Sequence, residues 1–296
     1  MRWLFSFFFV LGISAQALAF PLPQFPRSHY SQSQKEMQTL ALPKSFSQNY
    51  DFEGIVSLSN CSGSLIRFES SQDSDLGLVL TNGHCLETGF SEPGQVVLNQ
   101  PSARRFKVMN SQGQSLGNLN AAKVLYSTMT KTDITIYQLH ETYADILSTF
   151  QVHPLTLAST HPQAQQRVDI VSGYWEKGYS CDIETFVNEL RESRWVFSDS
   201  IRFTRPGCET IGGTSGSPIL LSGTRTVIGI NNTGNESGEQ CTMNNPCEVA
   251  PDGTITSQQG YSYGQQTYWI YSCLNEKNEI DVNRSGCLLP HPAPVH

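Results

Sequence analysis

Along this chain the apolar residues come in short bursts rather than long runs. From Phe52 onward, "GIVSLS", "SGSLIRF", "LGLVLTN", "QVVLN", "RFKVM", "DITIYQL", "RVDIVSG", "RWVFSDS", "SPILLS", "TVIGIN" and "TYWIYS" recur between breaks of Gly, Asn, Ser and Pro. Most of these bursts are five to seven residues long, and several alternate apolar with polar positions. That is the period of a strand with one buried face. Two segments carry a helical pattern instead. One is the short stretch 143–150. In the other, Ile183, Phe186, Val187 and Leu190 stand at i, i+3, i+4 and i+7 and predict a helix face. Strands and helices do not alternate regularly, which disfavours a parallel α/β fold. The chain reads as an all-β barrel or sandwich.

The flanking segments differ in character. Arg2, the apolar run 3–13 and the Ala-Leu-Ala of residues 17–19 make the three parts of a secretion signal over residues 1–19. That run is too short to cross the ~30 Å of a bilayer core. Residues 20–50 are rich in Pro, Ser and Gln and predict a pro-segment or N-terminal arm. Two strand-rich halves follow, 51–145 and 146–275, with the region around 140–166 as their linker. A long polar loop over 232–266 holds two cysteines, and residues 276–296 form a tail.

Charge removes some function classes. Loss of residues 1–19 takes away Arg2 alone and leaves 18 Lys and Arg against 26 Asp and Glu. No Lys/Arg cluster survives, so neither nucleic acid nor an anionic membrane is an expected partner after signal cleavage. The eight cysteines all lie beyond residue 60. An even count behind a secretion signal predicts disulfides in an oxidising compartment, either secreted or periplasmic. Without C-x-x-C or H-E-x-x-H, no metal site and no cofactor is expected.

The candidate chemistry lies in "IGGTSGSPIL" (211–220). A serine hydroxyl needs a base within reach, a group that orients the base, and donors for the oxyanion. His84 closes the predicted strand "LGLVLTNGHC", and a Cys61–Cys85 disulfide would staple that strand end to an earlier one. Asp133, in "KTDITIYQL", stands at a loop-to-strand junction where a carboxylate can be buried yet reach an imidazole. The order His84, Asp133, Ser215 differs from the α/β-hydrolase and subtilisin orders and is that of the chymotrypsin arrangement. No G-K-[ST] follows the glycines, which excludes a phosphate-binding loop.

With "CSGSLI", "LTNGHC", "DITIYQL" and "GGTSGSP" in order and at similar spacing, the chain resembles the trypsin/chymotrypsin-like serine peptidases over about residues 54–234. The resemblance implies two antiparallel six-stranded barrels with the active site in the cleft between them, and "YWIY" (268–271) as a last strand. It implies a Ser215 nucleophile, a His84 base and an Asp133 orienting group, with the N–H groups of Gly213 and Ser215 as the oxyanion hole. Substrates would be proteins or peptides, and the expected state is a monomer. The serine motif looks closest to the bacterial glutamyl-endopeptidase branch. Thr210 fits that branch, but Asn231 stands where its members carry a histidine. Thr214 stands where trypsin-like zymogens carry an Asp, so activation through that ion pair is not expected.

The same resemblance assigns Glu209, Thr210, Asn231, Asn232 and Gly234 to substrate binding. Glu209 would lie at the base of the P1 pocket, where a carboxylate slightly favours Arg or Lys. Cys273–Cys287 would close a local loop, and Cys208 would pair with Cys181 or Cys241. A peptidase-fold binding protein without catalysis is the alternative.

Overall fold

The structure is a computed structural model that describes residues 50–292. The expected secretion signal, and the arm up to residue 49, lie outside the described residues. Two closed rings of antiparallel strands dominate. In the first, β1 (Ile55–Ser57), β2 (Ser62–Arg67), β3 (Leu76–Thr81), β5 (Arg105–Met109), β6 (Ser115–Thr128) and β7 (Ile134–Thr142) pair in the order β1-β2-β3-β7-β6-β5 and return to β1. A further strand, β4 (Val96–Pro101), pairs with β6 outside the ring. The barrel is filled by Val56, Leu65, Val79, Phe106, Leu119, Tyr137 and Leu139, all fully buried. Alternate residues of each strand point inward, as the pleat requires.

The second ring joins β9 (Arg167–Ser172), β10 (Lys177–Glu192), β11 (Trp195–Phe203), β16 (Ser262–Gln266), β13 (Thr226–Gly234) and β12 (Pro218–Leu221), and β12 closes back onto β9. Val168, Ile170, Ile183, Ile201, Phe203 and Ile219 fill it. The short strand β8 (Leu155–Leu157) runs parallel to both β2 and β13 and so stitches one barrel to the other. Outside the ring, β14 (Cys247–Val249) pairs with β10, and β15 (Ile255–Thr256) pairs with β14. The all-β, two-barrel architecture expected from the chain is therefore observed.

Helix α1 (Tyr143–Phe150) forms where the sequence predicts it. Thr142 and Asp145 make a reciprocal capping box, with the Asp145 N–H on Thr142 Oγ1 at 3.1 Å and the Thr142 N–H on Asp145 Oδ2 at 3.0 Å. The second expected helix does not exist. Ile183, Phe186, Val187 and Leu190 lie in β10, whose ladder to β11 shifts register between Ile183 and Thr185. The shift breaks strict alternation, and buried Val187 and Leu190 cover both faces further along, so the spacing imitates a helix. The "YWIY" stretch is likewise no strand. The one-turn helix α2 (Trp269–Ser272) occupies it and packs, with Leu274, Val282 and Leu289, into a cluster that also holds Ile55, Leu80, Leu220 and Ile230. Segment 276–292 is therefore not loose, for the Tyr126 hydroxyl donates to the Pro290 carbonyl at 3.0 Å.

Four disulfides are formed: Cys61–Cys85, Cys181–Cys208, Cys241–Cys247 and Cys273–Cys287. Cys208 thus pairs with Cys181, across the loop that leads to Ser215, and Cys241 closes a local loop within the polar segment.

Candidate active site

Three structural units meet in one cleft. The chain leaves β3 at Thr81 and tightens at once into a 3-10 turn, Gly83–Cys85, that carries His84. Asp133 directly precedes β7 and is 1% exposed. Its carboxylate accepts two bonds from the same residue. Oδ2 lies 2.6 Å from His84 Nδ1, and Oδ1 accepts the His84 backbone N–H at 2.9 Å. The ring and the turn that bears it are thereby held by one side chain. Asn82 Nδ2 donates to the Asp133 carbonyl at 2.8 Å and ties the two segments again.

Burial disfavours the His84 cation, but the charge of Asp133, its hydrogen bond and the charge of Glu192 act the other way. Together they raise the pKa above the ordinary 6.5.

Ser215 lies in the loop between β11 and β12 and lines the same cleft as His84 and Asp133. Its hydroxyl donates to the Asn232 carbonyl at 3.2 Å. Among the described residues no hydrogen bond joins Ser215 to His84. Among the described residues neither the Gly213 N–H nor the Ser215 N–H donates a hydrogen bond. Gly213 has φ +90° and Gly216 φ +78°, a region that side chains resist. A Cβ on Gly216 would also lie 2.1 Å from Thr81 Oγ1 and 2.3 Å from the Ser62 carbonyl.

Ser62, inside the "CSGSLI" motif, locks this loop to the first barrel. Its N–H donates to the Ser215 carbonyl at 2.8 Å and its hydroxyl to the Gly213 carbonyl at 3.1 Å. The Tyr174 N–H donates to Ser62 Oγ at 3.1 Å, and Ser172 Oγ lies 2.9 Å from it. The sequence marked the motif but not the role of this serine. Thr214, between the two loop glycines, is fully buried.

The substrate-binding expectations divide. Thr210, Asn231, Asn232 and Gly234 line the cleft, and Thr210 Oγ1 donates to Asn231 Oδ1 at 3.2 Å. Glu209 is not at the base of a pocket. Its side chain is 45% exposed, accepts the Gly207 N–H at 2.9 Å and pairs with Arg205 at 3.7 Å. The loop turns it outward to satisfy its own backbone. The cleft, open to solvent, is instead lined by a different buried carboxylate, Glu192, and by Phe90, Met129, Trp195 and Phe197. None of these five was legible as a site residue.

His84 and the cysteines on either side of it bring three possible ligand atoms within 4.8 Å, but the two sulfurs are bonded to each other. Among the described residues no helix is long and apolar enough to cross a membrane.

A family model described as the trypsin-like peptidase domain matches residues 61–230, more than half of the chain. The chain belongs to that family. Among solved structures it is similar to the MamO protease domain of Magnetospirillum magneticum, at 11% identity over 78% of this chain and 100% of that one, with a TM-score of 0.47. It is also similar to kallikrein-related peptidase 10, at 17% identity over 76% of this chain and 94% of that one, with a TM-score of 0.46. A Glu endopeptidase shares 15% identity over 73% of this chain and 85% of its own, with a TM-score of 0.38. No curated protein matches the sequence.

Proposed function

We propose that this chain is an extracytoplasmic serine endopeptidase that works through an acyl-enzyme, with Ser215 as nucleophile, His84 as base and Asp133 as orienting group. The observation that carries the reading is the double hold of Asp133 on His84 in the cleft that also contains Ser215. The bond to Asp133 keeps the Nδ1 proton in place and leaves Nε2 as the acceptor. The Ser215 hydroxyl exchanges its bond to Asn232 for one to Nε2, passes over its proton and attacks the scissile carbonyl. The oxyanion takes the N–H groups of Gly213 and Ser215. The imidazolium then returns the proton to the leaving amine, and water repeats the sequence on the ester.

Four disulfides support an oxidising compartment. With Glu209 turned to solvent, the case for a basic P1 residue loses its carboxylate. Thr210 and Asn231 offer P1 a neutral hydrogen-bonding wall, with no cation for the acidic P1 of a glutamyl endopeptidase. A neutral P1 side chain is the reading they support. Cleavage after residue 19, and removal of the arm on activation, belong to the same proposal.

A binding protein of this fold is the second reading, favoured by the Ser215 bond to Asn232 in place of one to His84. A fluorophosphonate probe separates the two. The mature protein should label at Ser215, located by peptide mass spectrometry, and absence of labelling would sink the enzyme reading.

The pH profile is a further expected result. Catalysis needs the neutral imidazole, and a raised pKa means that neutral His84 is lost earlier as pH falls. The acid limb of kcat/KM should therefore have its midpoint above 6.5, the ordinary histidine value. A midpoint below that value would contradict the dominance of Asp133 and Glu192 over burial.

A further inference from the structure

A buried carboxylate stands beside the imidazole, and the mechanism above does not use it. Glu192 ends β10, and its cross-strand partner at the hairpin is Trp195. Residues so paired project to the same face. Glu192 is 8% exposed and lines the cleft that holds Ser215. Its Oε1 accepts the Asn244 N–H at 2.8 Å. No Lys or Arg pairs with it among the described residues, since Arg191 is engaged with Glu189 and Arg194 with Glu92. Burial raises its pKa, with the nearby Asp133 charge acting the same way. The Asn244 N–H, the Thr233 hydroxyl and the His84 charge oppose this only in part. A carboxylate kept from water without a cation is costly, and a cation supplied from outside would relieve that cost.

The wall around it is aromatic. Trp195 and Phe197 are buried, while Phe90 is 48% exposed and stands edge-on to His84 at 5.8 Å and to Trp195 at 5.6 Å. An aromatic wall that ends in a carboxylate matches a side chain with an apolar stem and a cationic head. Arg194 already lies over the Trp195 ring, 4.7 Å from its centroid, so the stem lies on the exposed Phe90 and the head gains the carboxylate. Glu192 bonds to neither Thr210 nor Asn231, the pair offered to P1.

We propose that Glu192 is a specificity-determining residue, and that it makes this part of the cleft a subsite for a Lys or Arg side chain of the substrate other than P1, on the acyl side of the scissile bond. The proposal rests on the peptidase reading above. The neighbouring Glu236 also lines the cleft, but it is exposed, so its pull on a cation is screened by salt.

The test uses peptides that carry Arg or its neutral isostere citrulline at P2, P3 or P4, turned over by mature protein that labels with fluorophosphonate. At one of these positions the Arg peptide should have a kcat/KM at least about tenfold higher, a difference of the size that buried charge pairs support. The preference should survive ~1 M salt, where exposed pairs are screened. It should fall to within about twofold in Glu192→Gln, because a neutral amide forfeits the charge-assisted bond. That variant retains an oxygen for the Asn244 N–H. Absence of labelling overturns both readings. Labelling with equal turnover at all three positions overturns the subsite alone, as does a preference that salt abolishes or that Glu192→Gln retains. If Glu192→Gln does not fold, the salt series on the native protein decides.

Discussion

Ser215→Ala should abolish fluorophosphonate labelling and lower kcat by about six orders of magnitude, the usual cost of deleting a triad nucleophile. The fold should survive the change. Among the described residues the native hydroxyl makes one hydrogen bond, to the Asn232 carbonyl at 3.2 Å, and such a bond is worth about 1 kcal/mol. The contacts that shape the loop are main-chain or come from side chains other than Ser215, among them Ser62 and Trp175, whose Nε1 donates to the Gly212 carbonyl at 2.8 Å. The Ser62 N–H still meets the carbonyl of residue 215, and the Gly216 N–H still meets the Asn231 carbonyl. Secretion and thermal unfolding should thus stay near those of the native protein while turnover disappears. Some rate above the uncatalysed reaction should remain, because the N–H groups of Gly213 and of residue 215 itself still await an oxyanion. Active-site titration together with a melting curve checks both halves. A variant that keeps native turnover would refute Ser215 as nucleophile, and one that fails to fold would refute the description of the loop as backbone-held.

The parts of this site that were legible in the sequence share a property. His84 follows the end of a recognisable strand, and Asp133 and Ser215 shortly precede the start of one. The motif can be seen because local structure frames it. Glu192 has no such frame. In the sequence it belongs to "NELRES", at the end of the stretch that imitates a helix, and it comes to the cleft that holds His84 through the β10–β11 hairpin, where it stands opposite Trp195. Glu209 failed in the opposite direction. Its distance from Ser215 suggested a pocket floor, but its bond from the Gly207 N–H and its pairing with the Arg205 side chain turn it outward. Counting residues does not determine the direction of a side chain in an irregular loop.

The same contrast holds for the fold. β16, with the sequence "SYGQQ", is buried along its whole length yet nearly devoid of aliphatic residues. It is a strand because β11 and β13 pair with it on both edges; of its Gln265 side chain, Nε2 donates to Ser200 Oγ at 3.1 Å, while Oε1 has no partner among the described residues. A hydrophobic pattern cannot announce a strand held by backbone pairing on both edges. β6 was hidden for another reason: two register shifts break its alternation, so buried Leu119 and Ala121 fall out of step with buried Val124 and Tyr126.

Asp133→Asn is expected to lower kcat by about 10⁴-fold while leaving the fold in place, and the reason lies in the double hold on His84. Both groups that face the carboxylate in the working state are donors: the His84 backbone N–H at Oδ1 and the ring Nδ1–H at Oδ2. An asparagine has one oxygen and one NH₂, so only one of the two can be satisfied unchanged. The backbone N–H has no alternative form, whereas the ring can move its proton. The asparagine oxygen should therefore take the N–H, and its NH₂ should face Nδ1. The imidazole is then driven to the tautomer with its proton on Nε2, which presents a donor to Ser215 where an acceptor is needed. The pKa of His84 should fall as well, because burial lowers it and the largest opposing charge is gone. The acid limb of the residual activity should move to lower pH, and nitrogen NMR of the ring should report protonation at Nε2. A variant with native kcat, or one whose imidazole keeps its Nδ1 proton at neutral pH, would show that Asp133 does not set the state of His84.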